Sequence, residues 1–332
     1  MRLVFAGSPA AALPSLLALA AGEHEVVAVL TRDDTPQGRR RVLTPTPVAA
    51  EAERLGIPVV KTRRVTDEVV AELTALEADL GVIVAFGALL REPLLSAPRL
   101  GWVNLHFSLL PRWRGAAPVQ RALMAGDAVT GAAVFQLVPS LDAGDVFATL
   151  ERPLDGTETA GELLAELASS GAGLLAGVVD DLAAGTAVAV PQVGEGTTAP
   201  KLSLDDGALD LARPLAEVLD RWRGTTPEPG AHVPYEGGRL KVLEARAGTP
   251  DEPALVPGRV ELRGRRLVVG TGTSPLELVR VQPPGKKPMA AGDWWRGLPA
   301  GSAPRLLGPS SEPGSPSAAA TATAPTEPGA PA

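Results

Sequence analysis

The sequence contains 332 residues with a formal net charge of −7, and this length predicts two domains with separate hydrophobic cores. It has no cysteine and three histidines, which excludes disulfides and thiolate metal sites and argues against a histidine-rich zinc site. Its apolar N-terminal run is too short for a signal peptide, and no run of eighteen apolar residues occurs. We therefore expect a soluble cytoplasmic protein without a structural metal.

The charge is unevenly distributed along the chain. Residues 1–200 contain 15 Lys and Arg against 23 Asp and Glu, whereas residues 201–308 contain 16 against 13. A modest basic excess is compatible with RNA binding, but it is also common on solvated surfaces. Charge alone therefore does not decide whether the partner is a nucleic acid.

The first part of the chain alternates apolar runs with helical segments. Leu3–Ala6, Val26–Leu30 and Leu80–Ala85 are near-continuous apolar runs, as parallel strands covered on both faces require. Ala10–Ala21 and Val65–Glu77 predict helices between them. This alternation predicts a Rossmann-like, open and mostly parallel α/β sheet, with ligands beyond the carboxyl ends of its strands.

The turn after the first strand tests a dinucleotide-binding enzyme, the most common alternative for such a sheet. Gly7-Ser8-Pro9-Ala10 lacks the second and third glycines of G-x-G-x-x-G, and Pro9 has no N–H to offer a pyrophosphate. Asp33, after the second strand, is a weak point in favour of that alternative. The sequence therefore argues against NAD binding.

Residues 32–47, RDDTPQGRRRVLTPTP, predict a loop that contains three consecutive arginines, Arg39, Arg40 and Arg41. Arginine pairs bidentately with phosphate and stacks on unpaired bases, so such a loop suits a single-stranded RNA end. A run of three arginines is equally typical of a solvated surface loop. The residues alone leave both interpretations open.

One predicted strand, Trp102–His106, contains an unusual polar pair. Its period of two places Asn104 and His106 on one face and apolar residues on the other. The later turn at 140–145, SLDAGD, is rich in carboxylate and glycine and could bring Asp142 back to the imidazole. A histidine at a strand end is often a structural residue, and such a turn is often only a turn, so the spacing does not by itself establish catalysis.

Three motifs in this region resemble signatures of the formyltransferases that use 10-formyltetrahydrofolate. They are Asn104–Pro111 (NLHFSLLP), Arg112–Pro118 (RWRGAAP) and Leu141–Asp145 (LDAGD), in the family's order and spacing. The resemblance extends over residues 1–308. It implies the formyltransferase fold, an α/β domain followed by a small OB-like β-barrel, and transfer of a formyl group to a primary amine.

The resemblance also implies roles for individual residues. Asn104 would donate to the oxyanion, and His106 would accept the amine proton or, as imidazolium, assist the oxyanion. Asp142 would fix the imidazole tautomer and raise its pKa. The implied folate-binding residues are Phe86, Gly87, Ser108, Leu109, Leu110 and Pro111.

The C-terminal region changes from helices to short strands. A long helix predicted over Thr159–Leu182 is followed by a Gly/Thr-rich linker, and brief β segments between Gly and Pro then predict a small barrel, OB-like by preference. Gln282–Met289, QPPGKKPM, resembles the signature that closes this domain in members acting on methionyl-tRNA, and implies tRNA contacts by Lys286 and Lys287. The arginine loop resembles a loop that reaches toward the tRNA acceptor end in the same members.

The expected division of the chain follows from these observations. The segments are a catalytic domain at 1–189, a linker at 190–203, a tRNA-binding barrel at 204–308 and a disordered Ala/Pro/Ser/Thr tail at 309–332.

The barrel, the arginine loop and the lysine-containing signature together favour methionyl-initiator tRNA as the acceptor, giving N-formylmethionyl-tRNA for translation initiation. Relatives acting on glycinamide ribonucleotide usually lack the barrel, and those acting on nucleotide-linked amino sugars usually lack the loop. A formyltransferase for an amino sugar and a non-catalytic tRNA-binding protein remain as alternatives; acyl transfer through Ser108 lacks the G-x-S-x-G elbow. The expected partners are the charged tRNA and the folate, with no membrane, and the chain is expected to be a monomer.

Overall fold

The computed structural model describes residues 1–38, 40–235, 238–299 and 305–306. Arg39 and the predicted tail at 309–332 lie outside the described residues. The strands are β1 Arg2–Gly7, β2 Glu25–Thr31, β3 Thr35–Gln37, β4 Val42–Thr44, β5 Val59–Lys61, β6 Leu80–Val84, β7 Trp102–His106, β8 Arg114–Gly115, β9 Val129–Gln136, β10 Val146–Pro153, β11 Thr198–Ala199, β12 His232–Tyr235, β13 Gly238–Ala247, β14 Val260–Arg263, β15 Arg266–Val269, β16 Leu276–Gln282 and β17 Met289–Ala290. The α-helices are α1 Leu13–Ala21, α2 Pro47–Leu55, α3 Asp67–Thr74, α4 Pro118–Met124, α5 Ala160–Ala184, α6 Leu215–Gly224 and α7 Ala291–Arg296.

The N-terminal half is built on a seven-stranded sheet with the order β10-β9-β7-β6-β1-β2-β5. The five strands from β7 to β5 run parallel, and β9 and β10 are added antiparallel at one edge. Leu3 and Phe5 of β1 point into one hydrophobic core, while Val4 and Ala6 point into another on the opposite face. Both faces of the central strands are therefore covered, which explains their continuous apolar sequence. The predicted mostly parallel α/β sheet is confirmed.

Helix α5 lies against this sheet behind the predicted catalytic strand. It begins at a capping box in which Thr159 and Glu162 satisfy each other's backbone N–H groups, and it ends at Gly185 in a left-handed conformation. A Cβ on Gly171 would lie 3.1 Å from the side chain of Leu105 in β7, so glycine permits a close approach. By length and composition α5 resembles a membrane span, but its apolar face is buried in the core.

The predicted arginine loop contains a β-hairpin. Strands β3 and β4 pair antiparallel from Thr35 opposite Thr44 to Gln37 opposite Val42, apart from the main sheet. We predicted a loop here because of its prolines. Pro36 is nevertheless part of β3, because each strand of a two-stranded ribbon has a free edge, where the missing N–H of proline is tolerated. Gly38, Arg40 and Arg41, the described residues between the two strands, are exposed to solvent.

The C-terminal part forms a second, antiparallel sheet with the order β12-β13-β16-β15-β14, and β17 pairs with β16. Helices α6 and α7 pack on a separate core that includes Trp222, Val242, Leu278 and Trp294. The indole Nε1 of Trp222 donates to the carbonyl of Val242 at 3.1 Å, which fixes α6 against the sheet. The expected small barrel-like domain is confirmed as an antiparallel sheet around its own core.

The two halves contact each other through α4 and α6. A Cβ on Gly224 would lie 2.5 Å from the Met124 side chain and 2.7 Å from the Gln120 carbonyl oxygen, so α6 closely approaches α4. At the same boundary Arg121 forms an ion pair of 2.9 Å with Asp206. Glycine at the contact and this ion pair hold the domains in a defined arrangement.

The predicted linker forms regular structure with the catalytic half. Strand β11 pairs parallel with β8, the backbone N–H of Arg114 donates to the Thr197 carbonyl at 2.8 Å, and that of Ala117 donates to Ala199 at 3.1 Å. Gly115 has φ 126°, and a Cβ there would lie 2.7 Å from the carbonyl oxygen of Ala199. Only glycine allows this contact without displacement, so the linker is fixed along the loop that follows β7.

Candidate active site

Asn104 and His106 lie on the same face of β7 near its carboxyl end, as the alternation of the sequence predicts. The intervening Leu105 is buried in the core beneath α5. His106 is buried, and its ring packs perpendicular to that of Phe135 with 6.3 Å between centroids; Asn104 is half-buried. The strand therefore holds an amide and an imidazole at the carboxyl edge of the sheet, where open α/β sheets bind ligands.

Asp142 comes to this edge from the turn between β9 and β10. Its backbone has φ 44°, a left-handed conformation that few non-glycine residues adopt. One carboxylate oxygen, Oδ2, lies 3.9 Å from Nδ1 of His106 and accepts a hydrogen bond of 2.7 Å from the backbone N–H of Gly115. The structure thus brings the three predicted catalytic side chains together.

The tautomer of His106 is fixed by a backbone group. Its Nε2 lies 2.8 Å from the carbonyl oxygen of Trp113. A carbonyl oxygen can only accept, so Nε2 bears the hydrogen and the neutral ring turns an unprotonated Nδ1 toward Asp142. The hydrogen bond to the Trp113 carbonyl therefore sets the tautomer, whereas we expected Asp142 to do so.

Burial lowers the pKa of His106 below its ordinary value of 6.5, and the Asp142 carboxylate and the hydrogen bond to Trp113 oppose this shift. The predicted upward effect of Asp142 is present, but burial outweighs it. His106 is therefore neutral at neutral pH and able to accept a proton at Nδ1.

A cavity of about 310 Å³ opens beside the three side chains. Its polar wall contains Asn104, His106 and Asp142, while Phe86 and Leu137 belong to the largely apolar remainder. Gly87, the second residue of the predicted folate pair at 86–87, lines it as well. An apolar chamber with few polar groups at one end suits a flat heterocycle with one reactive position.

The other predicted folate residues lie elsewhere. Ser108 is fully buried and its hydroxyl donates to the Arg112 carbonyl at 2.7 Å, which closes the turn after β7. The described lining of the cavity includes Phe107 but not the next four residues. The side chain of Leu109 packs against Gly131 of β9, and the Pro111 carbonyl accepts from the backbone N–H of Thr197. Folate binding by Ser108, Leu109, Leu110 and Pro111 stays a prediction.

A second hollow of about 520 Å³ adjoins the first on the side of the linker. It shares Gly115 and Asp142 with the first cavity, and its walls include Leu89, Leu141 and Ala199. Leu89 and Leu141 are 69% and 56% exposed, unusual fractions for large apolar side chains. Two apolar spaces therefore meet at the Asp142 carboxylate.

The described residues among the predicted tRNA contacts occupy two exposed turns. Arg40 and Arg41 lie in the β3–β4 turn, with exposed side chains, whereas Arg39 lies outside the described residues. Lys286 and Lys287 are exposed in the turn between β16 and β17. A hydrogen bond of 3.1 Å from the Lys286 N–H to the Pro283 carbonyl closes this turn. Neither pair lines the two cavities.

Sequence reasoning missed two side chains that hold the site. Gln192 of the linker donates to the carbonyls of Asp142 and Gly144, both at 2.8 Å. Arg114 donates to the amide oxygen of Gln192 at 2.6 Å. A glutamine within a Gly/Thr-rich segment resembles any solvated linker residue, so composition and spacing held no signal for it.

An amide, a neutral imidazole and a carboxylate around one cavity of an α/β sheet are groups that general acid–base catalysis uses. The formyl transferase family model matches residues 1–179, and the model for the formyl transferase C-terminal domain matches residues 201–299. The chain belongs to the formyl transferase family. The methionyl-tRNA formyltransferase of Clavibacter sepedonicus is 59% identical over 298 residues, which cover 90% of this chain and 97% of that protein. That of Leifsonia xyli subsp. xyli is 60% identical over 297 residues, with the same coverage.

Solved structures share the fold at low sequence identity. The sugar 3N-formyl transferase WlaRD, crystallised with dTDP and 5-N-formyl-THF, has a TM-score of 0.65 at 14% identity and covers 86% of this chain and 99% of its own. The N-formyltransferase of Helicobacter canadensis, in complex with folinic acid and dTDP-3-aminofucose, has a TM-score of 0.64 at 15% identity, covering 84% and 98%. Within the described ranges, no cluster of three or more His, Asp or Glu side chains could hold a metal ion.

Proposed function

We propose that this chain transfers the formyl group of 10-formyltetrahydrofolate to the amino group of methionyl-initiator tRNA, giving N-formylmethionyl-tRNA for translation initiation. The observation that carries the proposal is identity of 59–60% to methionyl-tRNA formyltransferases across 90% of the chain, including the C-terminal domain. The geometry of Asn104, His106 and Asp142 supplies the chemistry such a transfer needs.

The cavity fits the folate donor of this family. A pteridine ring is flat and aromatic, so it needs apolar walls such as Phe86 and Leu137 together with a few polar groups at its edge. When bound, the donor supplies an activated formyl group at N10. We propose that Phe86 and Gly87 contact the pteridine ring and that Ser108–Pro111 contact the rest of the folate.

Catalysis requires an unprotonated amine and stabilisation of the charge that develops on the formyl oxygen. The Asn104 amide donates to that oxygen. Neutral His106 accepts the amine proton at Nδ1, because Nε2 already donates to Trp113. The bond between the formyl carbon and N10 then breaks as the new C–N bond is kept, and the proton on His106 passes to the leaving N10. Asp142, 3.9 Å away, stabilises the imidazolium that results.

The acceptor approaches from the side of the linker. The second hollow is apolar and reaches Asp142, so we place the methionyl side chain there, with its amine toward the Asp142 end. Arg39, Arg40 and Arg41 contact the acceptor end of the tRNA, and Lys286 and Lys287 contact its backbone. In this assignment the catalytic domain spans 1–189, the linker 190–203 and the tRNA-binding domain 204–308, and the chain acts as a monomer in the cytoplasm.

A transfer assay with a radiolabelled formyl donor tests the proposal. Charged initiator tRNA, charged elongator tRNA, free methionine and a nucleotide-linked amino sugar are offered side by side. The expected result is label on the charged initiator tRNA. Label on the amino sugar or on free methionine alone would refute the tRNA assignment, and tRNA binding without any transfer would favour a non-catalytic RNA-binding protein.

A further inference from the structure

We propose that Gln192 of the linker is a positioning residue for Asp142, so that the segment joining the two domains controls the catalytic carboxylate. The proposal rests on the function proposed above. Gln192 is half-buried and lies within hydrogen-bond reach of both loops that meet at the active site.

The amide nitrogen of Gln192 holds the turn that contains Asp142. Its Nε2 donates to the carbonyl of Asp142 and to that of Gly144, each at 2.8 Å. Asp142 occupies a left-handed conformation at φ 44°, which costs energy for a residue with a Cβ. Two bonds, one to the carbonyl of the strained residue and one to that of Gly144, stabilise the turn in this conformation and so fix the direction of the side chain.

The amide oxygen of Gln192 holds the opposite loop. It accepts from Nη2 of Arg114 at 2.6 Å and from Nε at 3.2 Å. The next residue, Gly115, donates its backbone N–H to the Asp142 carboxylate at 2.7 Å. Gln192 therefore links the backbone of the Asp142 turn, through the Arg114 side chain, to the loop whose Gly115 N–H binds the carboxylate.

Only an amide of this length performs both tasks. A glutamate could still accept from Arg114 but would offer no donor to the two carbonyls, and an alanine would offer neither. Gln192 is itself held by the start of the linker, because Val190 and Val146 exchange backbone bonds of 2.8 and 2.9 Å. Displacement of the linker would therefore displace Asp142 from Nδ1 of His106.

The test is a double-mutant cycle in the full chain, with single-turnover formylation of methionyl-initiator tRNA as the readout. Gln192→Ala should lower the transfer rate roughly 10- to 100-fold, since small displacements of a catalytic group have effects of this size. The KM for charged tRNA should not change. In an Asp142→Ala background the same substitution should cause no further loss, because it acts through the missing carboxylate.

Gln136→Ala is the matched control. Its Nε2 also donates to two backbone carbonyls, those of Leu100 and Trp102, at 3.4 and 3.0 Å. It should reduce thermal stability by an amount similar to Gln192→Ala and leave the transfer rate near that of the wild type. If Gln192→Ala does not fold, Gln192→Glu replaces it, because it retains the Arg114 contact and should show the same loss of rate.

The positioning role would be overturned if Gln192→Ala lowered the transfer rate equally in the wild-type and Asp142→Ala backgrounds. It would also be overturned if Gln192→Ala lowered only the thermal stability. Failure of the proposed function is a separate outcome. In that case the wild-type chain transfers no label to methionyl-tRNA, whereas failure of the positioning role leaves wild-type transfer intact.

Discussion

Nδ1 of His106 lies 3.9 Å from Oδ2 of Asp142, beyond hydrogen-bond distance, while Nε2 of the same ring binds the Trp113 carbonyl at 2.8 Å. The carboxylate therefore acts on the imidazole through its charge, and the backbone carbonyl holds the ring in place. This separation of roles determines how the site should respond to pH.

Asp142→Asn should move the acidic limb of the transfer-rate profile to lower pH. Burial already lowers the pKa of His106 below 6.5, and the carboxylate opposes this shift by favouring the imidazolium. Removing the charge lets the pKa fall further, so neutral His106 persists to lower pH. The plateau rate should fall at the same time, because the imidazolium formed in the reaction loses its counter-charge. Rates measured on both sides of pH 6.5 check this, and an acidic limb at higher pH would contradict it.

Asn104→Ala should reduce the transfer rate about 10²- to 10³-fold, the usual effect of losing one oxyanion donor. The melting temperature should change little, because Asn104 is half-buried at the edge of a cavity. The measurements are single-turnover rates and thermal denaturation. A near-wild-type rate would remove Asn104 from the mechanism.

Thr130→Val serves as a control on the neighbouring strand β9. The Thr130 hydroxyl is buried without a hydrogen-bond partner among the described residues, so a methyl of similar size replaces an unsatisfied polar atom. We expect unchanged transfer and equal or higher stability. Loss of stability would indicate that the hydroxyl is in fact satisfied, for example by water.

Replacing Arg40 and Arg41 together with alanine should weaken binding of charged tRNA and leave the transfer rate at saturating tRNA unchanged. Each lost phosphate contact should reduce the slope of log affinity against log salt by about 1. Arg54→Ala is the control, because that exposed arginine already pairs with Glu51 at 2.6 Å. Equal effects of the two variants on tRNA binding would argue against the hairpin as a tRNA contact.

Gly173→Ala should stabilise the fold by about 1 kcal/mol, the usual gain from alanine over glycine inside a helix. Gly173 is exposed on α5, and an added Cβ would meet nothing within 4 Å. Gly144→Ala should do the opposite, because its Cβ would lie 1.7 Å from the Gln136 carbonyl oxygen and force the Asp142 turn to move. Denaturant unfolding and transfer rates distinguish the two, and stable, active Gly144→Ala would contradict the described turn.

The sequence predicted those features that depend on local periodicity. The alternation in Trp102–His106 placed Asn104 and His106 on one face, and the long apolar segment from Thr159 predicted α5 to within two residues of its end. Both patterns arise because one face of the element is buried in a core, and the spacing of apolar residues indicates that face directly.

Contacts between distant segments were beyond such reasoning unless, as at Asp142 and His106, a recognisable motif marked both partners. The pairing of β11 with β8 and the bonds of Gln192 join residues far apart in the chain, and short polar segments contain no periodic signal for such pairing. The lowered pKa of His106 likewise depends on how deeply the folded chain buries the ring. The nearby negative charge could be anticipated, whereas the degree of burial could not.

The pairing of Thr198–Ala199 with Arg114–Gly115 has a practical consequence for dissecting the molecule. A fragment truncated at residue 189 would contain every proposed catalytic side chain and yet expose the strand edge at Arg114 that the missing segment covers. A fragment that extends to Pro200 would keep Thr198–Ala199 paired with Arg114–Gly115 and should therefore retain an ordered active site.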